Sequence, residues 1–147
     1  MTQLPPQIIE LERLRRRCER RQEALARCDA YYERSRSSAE YERARGEILE
    51  GVDAAEASLR EKVGALHRDR PEVLGRWVEV HRELLAMGRS GWGAGSLEAH
   101  YADVYEAHWR TVDEEGEVPY DLVYGVGLVE KLPARAQARY REFFGKL

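Results

Sequence analysis

Asparagine is missing altogether from this chain of 147 residues, lysine occurs only at Lys62, Lys131 and Lys146, and isoleucine only at Ile8, Ile9 and Ile48. The cationic side chains are therefore almost all arginine, a bias that points to a GC-rich bacterial or phage genome. With only Cys18 and Cys28, a disulfide-dense scaffold is excluded. Ten residues apart in one helical stretch, the two thiols would lie about 15 Å apart along the axis, beyond the ~7 Å Cα limit of a disulfide. Long apolar runs are absent as well. The longest, residues 122–129, falls far short of the ~20 residues that cross a bilayer. Residues 1–17 carry no apolar core of a secretion signal ahead of their arginines, so no membrane association is expected and the expected compartment is the cytoplasm, that of the host if the gene is phage-borne.

Helix breakers are scarce in the first half: no proline stands between Pro6 and Pro71, and the first glycine is Gly46. Over residues 7–34, Leu11, Leu14, Cys18, Leu25, Cys28 and Tyr32 recur at three- and four-residue steps, the seam of one long helix, interrupted by Arg21. The pattern stops at residues 34–38, where Ser37 and Glu40 have the spacing of a capping box. A second run, Tyr41, Ala44, Ile48, Val52, Ala55, Leu59, Val63 and Leu66, starts in a new phase. Two arms of about 28 residues, each roughly 40 Å long, predict an antiparallel hairpin over residues 7–67.

Beyond it, Pro71 opens a third helix with Val73, Trp77, Val80, His81, Leu84 and Met87 or Gly88 on its buried stripe. Glycine-rich residues 88–95 then connect to a fourth helix, capped by Ser96, whose inner face is read as Leu97, Tyr101, Val104, Tyr105, His108 and Val112. Residues 122–129 read either as helix, the preferred assignment, or as a short buried strand. Pro133 opens a last helix with Ala136, Tyr140, Phe143 and Leu147 on one side. The expected fold is all-α: a long, coiled-coil-like antiparallel hairpin followed by three or four shorter helices packed as a bundle. Residues 1–147 form one domain, with residues 69–147 as its second subregion.

Chemistry is harder to find. Arg13, Arg20, Arg27 and Arg34 repeat every seven residues, with Arg16 and Arg17 beside them, a column that could track phosphates. Glu12, Glu19 and Glu33 repeat near it, and Glu12 to Arg16 and Glu23 to Arg27 are favourable i, i+4 pairs, so a solvated, salt-bridged face is the stronger reading. Residues 98–121 hold eight carboxylates against Arg110 alone. Within that stretch Glu114, Glu115 and Glu117 form an acidic turn suited to steering a basic partner.

Glu98-Ala99-His100-Tyr101 is echoed by Glu106-Ala107-His108-Trp109, and His100, Asp103 and His108 offer metal-ligand types. Their spacing matches no zinc or di-iron pattern, and helix-surface histidines are the plainer reading. His81 with Glu79 or Glu83 is a fainter pairing. The glycine-rich segment before Ser96 has neither the lysine nor the preceding strand of a phosphate loop. Trp92 within it is either a latch on the bundle or an exposed anchor for a partner.

No catalytic motif and no cofactor signature emerges. The expectation is a non-enzymatic helical module, an adaptor, inhibitor or assembly factor, that binds a protein partner or a second copy of itself through the hairpin, Trp92 and the acidic turn. Nucleic-acid binding through the arginine column is the alternative. A metal-dependent enzyme built on His100, Asp103 and His108 comes third.

Overall fold

The structure, a computed structural model, describes residues 4–123, 129 and 131–145. Helices α1 (Pro6–Tyr31) and α2 (Ala39–Asp69) make the hairpin, and their mutual interface is the most extensive in the molecule. α3 (Pro71–Gly91) and α4 (Leu97–Glu115) form a second helical pair, and the short α5 (Tyr120–Val123) and α6 (Ala134–Phe144) close around them. The fold is all-α, with no strand among the described residues. No helix among them is long and apolar enough to cross a membrane.

The reversal at the hairpin tip is built from successive tight turns, Ser35 N–H to Tyr32 O at 2.8 Å and Ser38 N–H to Ser35 O at 3.0 Å. The cap falls one residue later than the spacing predicts: Ser38, not Ser37, starts α2, and its Oγ accepts the amide of Tyr41 at 3.2 Å. Ser37 is consumed by the turn, so the capping box with Glu40 does not form. Tyr41 Oη in turn donates to Asp29 Oδ1 at 2.8 Å, tying the arms together near the tip. Farther down, the Arg21 that interrupts the apolar seam lies against Gly51, where an added Cβ would sit 3.2 Å from the guanidinium. Glycine on one arm thus makes room for the long polar side chain on the other. Near the base, Lys62 Nζ and Glu10 Oε2 meet at 3.4 Å, so the arms stay in antiparallel register from tip to base.

Burial along the hairpin is uneven. In α2 every buried residue lies from Val52 onward, and in α1 only Cys28 is buried beyond Glu19. The core gathers at the hairpin base, where Ile8, Leu11, Leu59 and Val63 meet Leu74, Trp77 and Val80 of α3 and Val112 of α4. The outer half, residues 20–50, is two helices thick, and its seam residues Leu25, Tyr32, Tyr41, Ile48 and Leu49 are half-buried.

α3 follows the expected stripe, burying Val73, Trp77, Val80, His81, Leu84 and Gly88, but runs on to Gly91. The connector therefore shrinks to residues 92–96. The inner face of α4 is rotated from the expected one. Ala102, Tyr105, Trp109 and Val112 are buried, whereas Leu97 is 60% exposed, because Trp109 turns inward to meet Trp77 edge-on at 4.8 Å. α4 ends at Gly116, in the left-handed region at φ 68°, with its amide on Val112 O at 2.9 Å. Any Cβ there would lie 2.5 Å from the His67 ring, so both backbone and space demand glycine. Of residues 122–129, Leu122 and Val123 are helical as the last turn of α5; residues 124–128, like Leu147, lie outside the described residues.

Candidate functional site

α1 is amphipathic in an unusual way. Its buried stripe, Ile8, Leu11, Glu12, Arg15, Cys18 and Glu19, keeps helical spacing but carries three charged side chains. α2 covers one flank of this stripe and α3 another, so α1 buries a wider arc than a two-helix seam needs. Glu12, expected on a solvated face, is instead fully buried, and Glu19 is 3% exposed.

The Glu12 carboxylate receives five hydrogen bonds from three helices. Oε1 accepts from Arg15 Nε at 3.1 Å, Trp77 Nε1 at 3.1 Å and His81 Nε2 at 2.6 Å. Oε2 accepts from Arg15 Nη2 at 2.6 Å and Tyr140 Oη at 2.6 Å. Arg15 Nη1 reaches on to Glu19, whose other oxygen takes Arg16 Nη1. An ionised carboxylate only accepts, so His81 carries its proton on Nε2. Its ring is stacked on Trp109 at 4.1 Å and on Phe144 at 5.8 Å. Every fully enclosed side-chain nitrogen and oxygen among the described residues has a partner.

The protonation states follow from this packing. Burial alone would raise the Glu12 pKa, but the Arg15 guanidinium and the His81 donor outweigh it and hold the carboxyl well below its usual range. For His81 burial prevails over the attraction of Glu12, and the imidazole is shifted down. Burial likewise pushes Tyr140 far up and the neighbouring Cys18 thiol up to about 11, Glu56 adding to the latter. Cys18 and Cys28 are both buried and free, and the shift keeps Cys18 an unreactive thiol at neutral pH.

A cavity of about 30 Å³ adjoins the cluster, lined by Arg15, Glu19 and His81 together with Leu84, Trp109 and Leu132. That is room for about two waters. The cluster is thus a keystone joining α1, α3 and α6. His81 finds its partner 69 positions away in Glu12, while Glu79 and Glu83, the carboxylates adjacent in sequence, are exposed and face Arg76 and Arg139.

The residues singled out in the sequence are scattered. Arg13, Arg17, Arg20 and Arg27 are exposed along α1, Arg16 is half-buried on Glu19, and Arg34 stands beyond the helix end, in the turn. The seven-residue column therefore loses its last helical member. Glu114, Glu115 and Glu117 are exposed around the end of α4, where His67 Nε2 donates to Glu114 O at 3.1 Å. Trp92 is half-buried; its ring covers Gly88, where a Cβ would lie 2.6 Å from it, and its Nε1 donates to Lys131 O at 3.1 Å. That places it as a clasp between the end of α3 and the approach to α6.

His100 is exposed, Asp103 pairs with Arg89, and His108 turns its ring toward Tyr105. Among the described residues no group of three or more His, Cys, Asp or Glu side chains converges as a metal site would require. No protein-family model, curated protein or solved structure matches this chain. Its functional reading therefore rests on these side chains and on the shape that carries them.

Charge alone assigns Glu12 and Glu19 to a solvated face, which hides the cluster in the sequence; their helical phase assigns them to the buried one. Positions 8, 12, 15 and 19 share a helical face with Leu11 and Cys18. An acid–arginine–acid series in phase with apolar residues was the available signal.

Proposed function

We propose that this protein is a non-enzymatic helical interaction module, an adaptor, inhibitor or assembly factor, whose docking element is the outer half of the hairpin. One observation carries this reading: burial stops at Val52 in α2 and at Glu19, apart from Cys28, in α1. The arm beyond is left with half-buried apolar side chains on its seam and with Tyr31 82% exposed near its tip. Two helices in contact bury one stripe each, and the flanks of that stripe gain further burial only from a third body. An exposed aromatic near such a tip is a suitable anchor, since tyrosine is enriched at binding hot spots. The exposed carboxylates Glu114, Glu115 and Glu117 supply a second, electrostatic contact for a basic partner.

A photo-crosslinking benzophenone residue in place of Tyr31, compared with the same residue at the exposed Glu61 near the hairpin base, tests this directly. Crosslinked adducts are expected at position 31 and not at position 61. Light scattering on the purified protein assigns them to a second copy or to another protein. Equal labelling at both positions, or none at position 31, removes the reading.

A second reading rests on the arginines that stay exposed along α1. If they track phosphates, retention of duplex DNA weakens steeply with salt and collapses when Arg13, Arg20 and Arg27 become glutamate. Duplex left unshifted at low salt disposes of it. The exposed Glu23 and Glu33 close to that stripe favour the first reading.

A further inference from the structure

We propose that the buried cluster is a proton-operated lock on α6: uptake of a proton by His81 releases that helix from the base of the hairpin. The inference is independent of what the arm binds.

With His81 neutral, Glu12 and Glu19 are matched by Arg15 and Arg16, and the cluster carries no net charge. From α1, Glu12, Arg15 and Glu19 face His81; from α4 it meets the uncharged ring of Trp109; from α6 it meets Phe144, and Tyr140 shares its acceptor Glu12. A proton added to the imidazole places an unmatched cation beside Arg15, in a site where His81 is 4% and Arg15 5% exposed. Water or rearrangement must then compensate it. The downward shift of His81 agrees with this balance.

α6 is the element best placed to yield. It is 11 residues long and packs chiefly on α3, and its buried polar anchor is the Tyr140 bond to Glu12. Its Phe144 forms one wall of the His81 stack, so its departure opens the imidazole to solvent. Parting α1 from α2 or α3 from α4 would break the two most extensive helix interfaces instead.

Linkage sets the size of the effect. If the docked imidazole stays neutral and the released one titrates near 6.5, the ratio of released to docked α6 rises about tenfold between a pH one unit above that value and one unit below it. Amide hydrogen exchange on the whole protein, corrected for the intrinsic pH dependence of exchange, reads this ratio. Protection of α6 should fall about tenfold and stay below that of residues 52–66 of α2 at both pH values, since α6 opens without global unfolding. His81→Gln keeps a donor toward Glu12 and does not titrate, so it should abolish the pH effect. Tyr140→Phe should lower α6 protection by the same factor at both pH values.

Equal protection of α6 and of residues 52–66 at both pH values would mean that α6 opens only in global unfolding and would overturn the lock. Unchanged α6 protection, or a tenfold response surviving in His81→Gln, would overturn it as well. Should that variant fail to fold, the wild-type comparison of α6 with α2 decides the matter.

Discussion

Replacing Glu12 by glutamine keeps the shape of the side chain and removes its charge, leaving the buried Arg15 with Glu19 as its remaining carboxylate partner. Breaking one side of a buried ion pair costs about 3–5 kcal/mol, because the surviving buried charge is left uncompensated. Glu12→Gln should therefore lose that much in a denaturant titration, although no apolar contact is deleted. A loss below about 1 kcal/mol, the value of a surface pair, would mean that Glu12 is not the keystone. Acid should act in the same direction. His81 and Glu12 are both shifted down in the folded protein, so the unfolded chain takes up protons first at each site. Stability is full above the ordinary histidine range, declines as pH falls through about 6.5, and declines further below about 4.5, where the unfolded Glu12 protonates. Denaturation midpoints measured across that window should fall monotonically; a midpoint that rises on acidification would reverse the assignment.

Among the elements, the hairpin was the most legible. Its apolar repeat over residues 41–66 is long, uninterrupted by proline, and matched in length by the first arm. Local pattern was less able to place the cap, because Ser37 and Ser38 are both capable N-caps and the turn geometry chose between them. The rotation of α4 was hidden for a related reason. Tyr101, Tyr105, Trp109 and Leu97 are all large, and only the edge-on meeting of Trp109 with Trp77 decided which of them turned inward. Within the hairpin, base and arm should differ sharply in their tolerance of truncation. Leu59→Ala, at a site with no exposure, should cost about 2–5 kcal/mol. Leu25→Ala, on the half-buried arm seam, should cost about 1 kcal/mol or less, since much of its surface is already in water. Thermal or chemical unfolding of the two variants checks this, and equal losses would mean that the arm is as well covered as the base.

For the whole molecule, the uneven burial predicts two tiers of local stability. Arm amides at residues 24–30 and 41–50, held by helix bonds and one thin seam, should exchange through openings smaller than those that release residues 52–66. A partner seated on the arm should raise the lower tier toward the upper one. Exchange rates already uniform along α2 would argue that the arm needs no further cover.

The sequence by itself determined the all-α class, the hairpin, the entry of α3 at Pro71 and most of its buried stripe, since helical periodicity and capping are local properties of the chain. Only the tertiary structure decided that Glu12, Arg15 and Glu19 belong to the interior, that His81 pairs with Glu12 and not with its sequence neighbours, and that Trp92 clasps Lys131. Each of these depends on which helix lies across a given face, and a charged side chain is read as solvated until a neighbour supplies the donors that allow it to be buried.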